Sequence, residues 1–364
     1  MSDIEYTATS GEIAIRTDEK TKPAKRYTIR DIAEMAGVSR ATVSLAMNGS
    51  PKVNARTREQ VLALIERVGY RPNQTARNLA NRRSGTILVI LPKIDHVFSD
   101  VYFSECLSGI IEVTTPRQYH MMVDLATQDF KDDKKPLMLF EQGAIDGVLC
   151  VGNLSTDTYL TDLVLAGCPV LLVNSSIPGI PNVLGDNASA AEQAVEHLYG
   201  LGHRRIGHIR GPKVVTTAMD RTEGYLRALK KLGLPDEKSL IAEGYFDENS
   251  GYEAFQWLMK QPKPPTAIFT TNDIMALGAL RAAREMGIRV PEDVALFGGD
   301  DIPFARHVQP PLSTIRQAMD AMGVAACEKL FQQMDSRDFE QTTLVPLELV
   351  VRESCGAKVA AGAA

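Results

Sequence analysis

At 364 residues the chain is too long for one small domain and suits two or three. A hydrophobic share of 44% with 23% charged residues excludes a disordered or fibrous chain and describes an ordinary globular one. The net charge of −5 would argue against a nucleic-acid partner, but residues 27–85 hold 10 Lys and Arg against 4 Asp and Glu, whereas residues 86–364 hold 25 against 36. A small basic head on a large acidic body is the balance of a DNA-binding domain carried by a separate sensor.

Residues 1–26 mix charges, Thr, Ser and Gly without periodicity and read as a disordered tail. Thr28-x-x-Asp31 then has capping-box spacing, and Ile29, Ile32, Ala33 and Ala36 share one helical face. Gly37 stops that helix, Val38 plugs the turn, and Ser39 caps a second helix running through Met47. Two short helices joined by a tight glycine turn make a helix-turn-helix, whose second helix enters the major groove. In that helix Val43 and Ala46 point inward, while Ala41, Ser44, Leu45 and Asn48 share the opposite face, with Arg40 at its leading edge. A third helix starts at Asn54, is apolar through Val61, Leu64, Ile65 and Val68, and ends at Gly69.

After the break at Arg71-Pro72, Asn73 to Ala80 fits a two-turn helix capped by Asn73, too short to be stable alone in water. Asn81 to Gly85 is a basic joint. From Thr86 strands and helices alternate, predicting a parallel doubly wound sheet. The predicted elements are strand 86–91, helix 103–113, strand 120–124, helix 131–140, strand 148–151, helix 156–165 and strand 170–173. The rhythm restarts near Pro178-Gly179 with helix 188–200, strand 206–209, helices 220–232 and 250–261, strand 267–270, helix 274–286 and strand 294–297. Two α/β halves of similar size imply two lobes and a cleft. Pro310 to Thr314 returns the chain to the first lobe for helix 319–334, and strand 343–351 is expected to return it to the second.

Ligands of open α/β sheets bind beyond the carboxyl ends of the strands. The polar residues expected there are Asn153, Asn174, Asn272 and Asp300, with Arg221 taken to open a helix nearby. A carboxylate, a guanidinium fork and amides suit a polyhydroxylated ligand, because each takes adjacent hydroxyls.

The stretch from Thr28 to Leu91 resembles the DNA-binding headpiece and hinge of the lactose-repressor/purine-repressor family of bacterial transcription regulators. The strings Gly202-His203-Arg204-Arg205-Ile206, Thr271 to Gly278, Gly287 to Val294 and Pro310 to Gln317 extend the resemblance to about Gly356. It implies an all-α helix-turn-helix headpiece plus a two-lobed sensor similar to periplasmic sugar-binding proteins. The expected layout is headpiece 27–71, hinge 72–85 and effector and dimerisation domain 86–356, with a tail at 357–364. The first lobe would comprise 86–176 and 317–340, and the second 177–316 and 341–354. The resemblance also implies a homodimer on a pseudo-palindromic operator, with paired hinge helices in the minor groove and Leu79 as the wedge between base pairs. The candidate DNA contacts are Thr28, Ser39, Arg40, Ala41, Thr42, Ser44, Leu45, Asn48 and Asn54, then Asn73, Ala76, Arg77 and Leu79 in the hinge. The candidate effector contacts are Arg221, Asn272 and Asp300, with Phe246 as the stacking aromatic, Asn174, Thr217 and Asn153 as further polar contacts, and Tyr102 and Phe103 as the first-lobe wall.

Three departures from the family pattern stand out. Gly299 replaces an aromatic, which would open or reshape the pocket. Leu45 stands where many relatives carry Arg or His, which favours a thymine-methyl contact. The stretch from Lys93 to Val101 is longer than in some relatives and would bring His96 and Asp100 to the cleft mouth.

An enzyme is the first competing reading. The adjacent carboxylates Asp300 and Asp301 diverge beyond a strand, and no P-loop, dinucleotide turn, nucleophile elbow or metal-spaced histidine cluster is present in the sequence. No cofactor and no metal are expected. A transport binding protein would explain the body, but not the basic headpiece or the lack of a signal peptide. Scattered cysteines and no membrane-length apolar run point to the cytoplasm. Among regulators, a sugar effector is the first expectation, with a purine, nucleoside or sugar phosphate as the alternative. No leucine heptad follows Glu353, so a C-terminal tetramer bundle is not expected.

Overall fold

The computed structural model describes residues 27–47, 49–70, 83–94, 97–335 and 340–357. The tails, the helix expected over 73–80, and Asn48, Asn73, Ala76, Arg77, Leu79 and His96 therefore lie outside the described residues. The chain divides into two compact units, Met1–Ala80 and Asn81–Ala364.

In the first unit, local chemistry starts each helix and ends two of the three. Helix α1 (Ile29–Ala36) begins at Thr28, whose hydroxyl accepts from the Asp31 amide while the Asp31 carboxylate accepts from the Thr28 amide at 2.7 Å. Gly37, at φ 65°, closes it in the left-handed conformation that glycine adopts without strain. Helix α2 (Arg40–Met47) is capped by Ser39, whose hydroxyl accepts from the Thr42 amide at 3.0 Å. Helix α3 (Ala55–Val68) is capped by Asn54 and ended by Gly69. Ile32, Ala33, Val43, Ala46, Val53, Val61, Leu64 and Tyr70 meet in one core, with Val38 packed half-buried at its margin rather than fully inside.

The second unit begins with β1 (Thr86–Pro92), α4 (Val101–Thr114), β2 (His120–Ala126), α5 (Gln128–Asp132), α6 (Lys135–Glu141), β3 (Gly147–Val151), α7 (Tyr159–Leu165) and β4 (Val170–Val173). It continues with β5 (Asn182–Gly185), α8 (Asn187–Gly200), β6 (Ile206–Arg210), α9 (Thr216–Leu232), β7 (Ile241–Glu243), α10 (Glu248–Met259), β8 (Ala267–Thr270), α11 (Asp273–Glu285) and β9 (Ala295–Phe297). It ends with β10 (Thr314–Arg316), α12 (Met319–Asp335), β11 (Thr342–Val345) and β12 (Glu348–Val350).

A six-stranded sheet in the order β11-β5-β4-β3-β1-β2 forms the first lobe, and a four-stranded sheet in the order β7-β6-β8-β9 forms the second; both are parallel. Each is covered on both faces, as an apolar parallel sheet requires. Helices α4 and α12 share a core with one face of the first sheet, and α5, α6 and α7 pack on the other. In the second lobe α8 and α9 take one face, α10 and α11 the other. The paired helices cross closely enough that a Cβ on Gly109 would lie 2.0 Å from the Asp320 carbonyl oxygen, and one on Gly278 1.9 Å from that of Glu248. The chain passes between lobes three times: after β5, after β10 and between β11 and β12. The last two passages pair as an antiparallel ribbon of β10 and β12.

Four sequence expectations are corrected. Residues 177–185 were assigned to the second lobe, but β5 lies in the first-lobe sheet beside β4. Residues 343–351 were expected as one strand of the second lobe; β11 instead extends the first sheet against β5, and only β12, after Pro346 and Leu347, turns to the ribbon. The helix expected over 131–140 breaks at Lys134, which sits at φ 49°, just before Pro136. Arg221 does not open its helix, because α9 starts at Thr216, more than a turn earlier.

Candidate DNA-binding face and effector cleft

On α2, Arg40 and Ala41 are exposed, and Thr42 and Ser44 are half-buried. Ser39 and Thr42 also share a hydroxyl contact of 2.9 Å, so both serve the cap as well as the surface. Leu45 is half-buried too, with part of its side chain packed against the headpiece core. Thr28 and Asn54 are exposed cap residues at the starts of α1 and α3. The guanidinium of Arg58 bonds the carbonyl oxygens of Ser50 and Val53, which fixes the turn between α2 and α3.

The cleft is built from strand ends. Arg221, buried on α9, donates through Nε to Asn187 Oδ1 at 2.8 Å and through Nη1 to the Thr271 carbonyl oxygen. Both Nη atoms reach Asp300 Oδ1 only at 3.4 Å. Asp300 lies just past β9, where its amide donates to Thr314 Oγ1 at 3.1 Å. Behind it the buried carboxylate of Asp273 accepts from the Gly299 amide at 2.8 Å and the Ile302 amide at 3.0 Å, and so shapes the loop that carries Asp300. Burial pushes the Asp300 carboxyl up to about 7; nearby Arg221 works against that rise and Asp273 adds to it.

Asn272 caps α11 through its Oδ1, and its Nδ2 donates to the Phe246 carbonyl oxygen at 3.4 Å. Phe246 sits at φ 67°, with its ring edge 2.9 Å from where a Cβ on Gly211 would stand. Glycine at 211 is what admits that ring. A Cβ on Gly299 would lie 2.5 Å from the Thr271 carbonyl oxygen and 2.9 Å from Arg221 Nη1. The bareness of Gly299 lets the arginine and this backbone close together.

From the first lobe, the Tyr102 hydroxyl accepts from Asn174 Nδ2 at 2.9 Å, and that nitrogen also donates to Gln317 Oε1 at 3.1 Å. Phe103 stands edge-on to Tyr102 with ring centroids 5.0 Å apart, but it is buried against Gly152 and backs the wall instead of forming it. Asn153 is bonded to the Ser175 hydroxyl and the Leu154 carbonyl. Asp100 caps α4 through the Tyr102 amide, and burial raises its carboxyl above the usual range. Thr217 is half-buried in the first turn of α9, one turn before Arg221. Its neighbour Thr216 makes one of the contacts between lobes, accepting from the Ser176 amide at 3.2 Å, beside the Val214 carbonyl oxygen, which accepts from the Ser155 amide at 3.1 Å.

The structure thus brings Arg221, Asn272, Asp300, Phe246, Asn174 and Tyr102 to one cleft. Sequence reasoning missed Asn187, Gln317, Asp273 and Thr216. Asn187 follows a strand that was overlooked, and Gln317 ended a string quoted above only for the family resemblance.

Residues 28–73 match the profile of bacterial regulatory proteins of the lacI family, and residues 195–355 match a periplasmic binding protein-like domain. The HTH-type transcriptional repressor CytR of Escherichia coli (strain K12) is 36% identical over 331 residues, spanning 90% of this chain and 96% of that protein. The chain belongs to the lacI family. Catabolite control protein A of Priestia megaterium is 34% identical, spanning 90% of this chain and 98% of that protein. Among solved structures, the lac repressor dimer bound to operator and the anti-inducer ONPF superposes with a TM-score of 0.80 at 27% identity, over 92% of this chain and 100% of that one. The complex of the transcriptional regulator CelR with cellobiose gives 0.70 at 30% identity, over 90% of this chain and 100% of that one. This lacI-family chain is a DNA-binding transcriptional regulator with a two-lobed sensor. Among its described residues no helix is long and apolar enough to cross a membrane.

Proposed function

We propose that this regulator is a cytoplasmic repressor that binds a pseudo-palindromic operator as a homodimer and releases or grips it according to a neutral, polyhydroxylated effector in the cleft. The observation that carries the reading is the Arg221–Asp300 pair: a buried donor fork and acceptor at 3.4 Å, flanked by the Asn272 and Asn174 amides. That set suits vicinal hydroxyls, each of which both donates and accepts. The cellobiose in the CelR complex is of the same chemical class. A sugar phosphate fits less well, because Arg221 already bonds Asn187 and Thr271 while Asp300, Asp273 and Asp100 would oppose a second negative charge. A nucleoside is the second reading, favoured by the Tyr102 and Phe246 rings beside groups able to hold a ribose diol.

On the DNA side, Arg40 and its neighbours on α2 are the proposed groove residues, and the hinge residues Asn73, Ala76, Arg77 and Leu79 the proposed minor-groove contacts. A ligand bridging the lobes biases their arrangement by its differential affinity for the two states, and operator affinity follows reciprocally, typically by about 1–3 kcal/mol. A thermal-shift screen of sugars and nucleosides on the full chain identifies the class. Operator binding is then measured by fluorescence anisotropy with and without the hit, for the wild type and Asp300→Ala. The variant should bind operator like the wild type and ignore the ligand; a full response at the same ligand concentration removes Asp300 from the site.

A further inference from the structure

In a buried site an arginine beside a carboxylate ordinarily closes into a two-pronged pair at about 2.7–2.9 Å. Here it does not. Both contacts from Arg221 go to a single Asp300 oxygen at 3.4 Å, whereas Nε donates to Asn187 Oδ1 at 2.8 Å. The other Asp300 oxygen receives the Asp273 amide, again at 3.4 Å. The guanidinium is therefore aimed by Asn187 and the Thr271 carbonyl and not by the acid it faces.

Asn187 is itself tightly fixed. It is buried at the start of α8; its Oδ1 also accepts from Gln317 Nε2 at 3.2 Å, and its Nδ2 donates to the Gly185 carbonyl oxygen at 3.0 Å. Gly185 ends β5 where the chain first leaves the first lobe, and Gln317 lies where it returns after β10. One amide thus references the arginine to two of the three passages between lobes.

We propose that Asn187 is a positioning residue of the cleft: it holds the Arg221 guanidinium back from Asp300, so that the two charges stay open to a ligand's hydroxyls instead of closing on each other. What the open pair is for rests on the effector reading above; whether Asn187 keeps it open is testable without a ligand. The charged and titratable groups around Asp300 are Arg221 on α9, Asp273 on α11, Asp100 and Tyr102 at the start of α4, and the adjoining Asp301, itself paired with Arg316 and Arg352.

The readout is the Asp300-dependent part of stability against pH. Because folding raises this carboxyl, the native protein keeps a proton that the unfolded chain has already lost. The contribution is full below the ordinary aspartate range and falls as pH rises toward 7. Thermal midpoints of the full chain, taken between about pH 4 and 8.5, isolate it as the wild type minus Asp300→Asn. The same difference is measured for Asn187→Ala with and without Asp300→Asn. If Asn187 holds the pair open, its loss lets Arg221 close on Asp300, and the fall vanishes or moves down by about one pH unit or more. A merely structural Asn187 would lower the midpoint at every pH and leave the fall in place, which overturns the proposal. Asn187→Ser adds no charge and is too short to reach Arg221 Nε, so there too the fall should vanish or move down. A fall that stays put in that variant overturns the proposal even if Asn187→Ala does not fold. Neither outcome touches the effector reading, which stands on the ligand response of Asp300→Ala.

Discussion

The headpiece buries a handful of side chains around Ile32, Val43 and Val61, whereas the sensor closes two parallel sheets between paired helices whose contacts join residues far apart in the chain. In the headpiece each helix is started within a few residues, by Thr28 with Asp31, Ser39 with Thr42 and Asn54 with Thr57, and the first and third are stopped by Gly37 and Gly69. In the sensor the decisive fits are of the kind made by Gly109 against Asp320 or Gly224 against Ala188. The difference teaches that the two units should fail differently. A small core falls to one lost side chain, and a large one to a clash at a helix crossing.

The largest expected effect tests the headpiece. Ile32 is fully buried there, and Ile32→Ala should cost about 2–5 kcal/mol. A core of that size supplies about 3–5 kcal/mol in all, so the headpiece should unfold and specific DNA binding vanish. Calorimetry should show the sensor transition unmoved. If both transitions shift together, the units are not independent.

Next comes the sensor. A Cβ at position 278 would stand 1.9 Å from the Glu248 carbonyl oxygen, so Gly278→Ala forces α10 and α11 apart. Overpacking of this kind costs about 1–3 kcal/mol. The sensor midpoint in urea should fall, while the headpiece keeps its affinity for random DNA. An unchanged midpoint would mean that the crossing relaxes freely.

The same contrast decides what the sequence could disclose. The headpiece was legible almost to the residue, because capping and stop signals act over three or four positions. The sensor's doubly wound class was legible from alternating apolar runs, but its lobe membership was not. β5 has four residues and follows Pro181, and β7 has three, too few for a period to show. β11 went to the wrong lobe because its partner, β5, lies far back in the sequence. The cleft was half legible. Arg221, Asn272 and Asp300 carry polar chemistry at strand ends, where ligand groups are sought. Asn187 and Gln317 are single polar letters that acquire a role only when 130 residues of chain fold them together.

A smaller effect sharpens the headpiece side of the comparison. Arg40 is exposed at the start of α2, so its loss should leave folding intact. Arg40→Ala should weaken binding to a duplex selected in vitro by about 1–3 kcal/mol, the worth of a bidentate guanine contact, and hardly alter binding to random DNA. An equal loss on both duplexes would make Arg40 a phosphate contact.

The smallest effect belongs to the first-lobe wall. The Tyr102 hydroxyl accepts one hydrogen bond, from Asn174 Nδ2, and that nitrogen keeps a second acceptor in Gln317 Oε1 at 3.1 Å. Tyr102→Phe therefore removes a bond without leaving the amide unsatisfied, and the ring still packs edge-on against Phe103. Such a loss costs about 0.5–1.5 kcal/mol, and the retained partner puts it at the low end. In the sensor, with its several packed cores, that cost should shift the urea midpoint only slightly. A comparable local bond in the headpiece is the Thr28 cap, where Thr28→Ala also costs about 1 kcal/mol but subtracts it from a far smaller reserve. The two variants, measured side by side, should differ in consequence more than in cost: Thr28→Ala weakens DNA binding, and Tyr102→Phe leaves it unchanged. If Tyr102→Phe destabilises the sensor by more than about 2 kcal/mol, the hydroxyl supports more than the Asn174 bond, and the first lobe is as dependent on single local contacts as the headpiece.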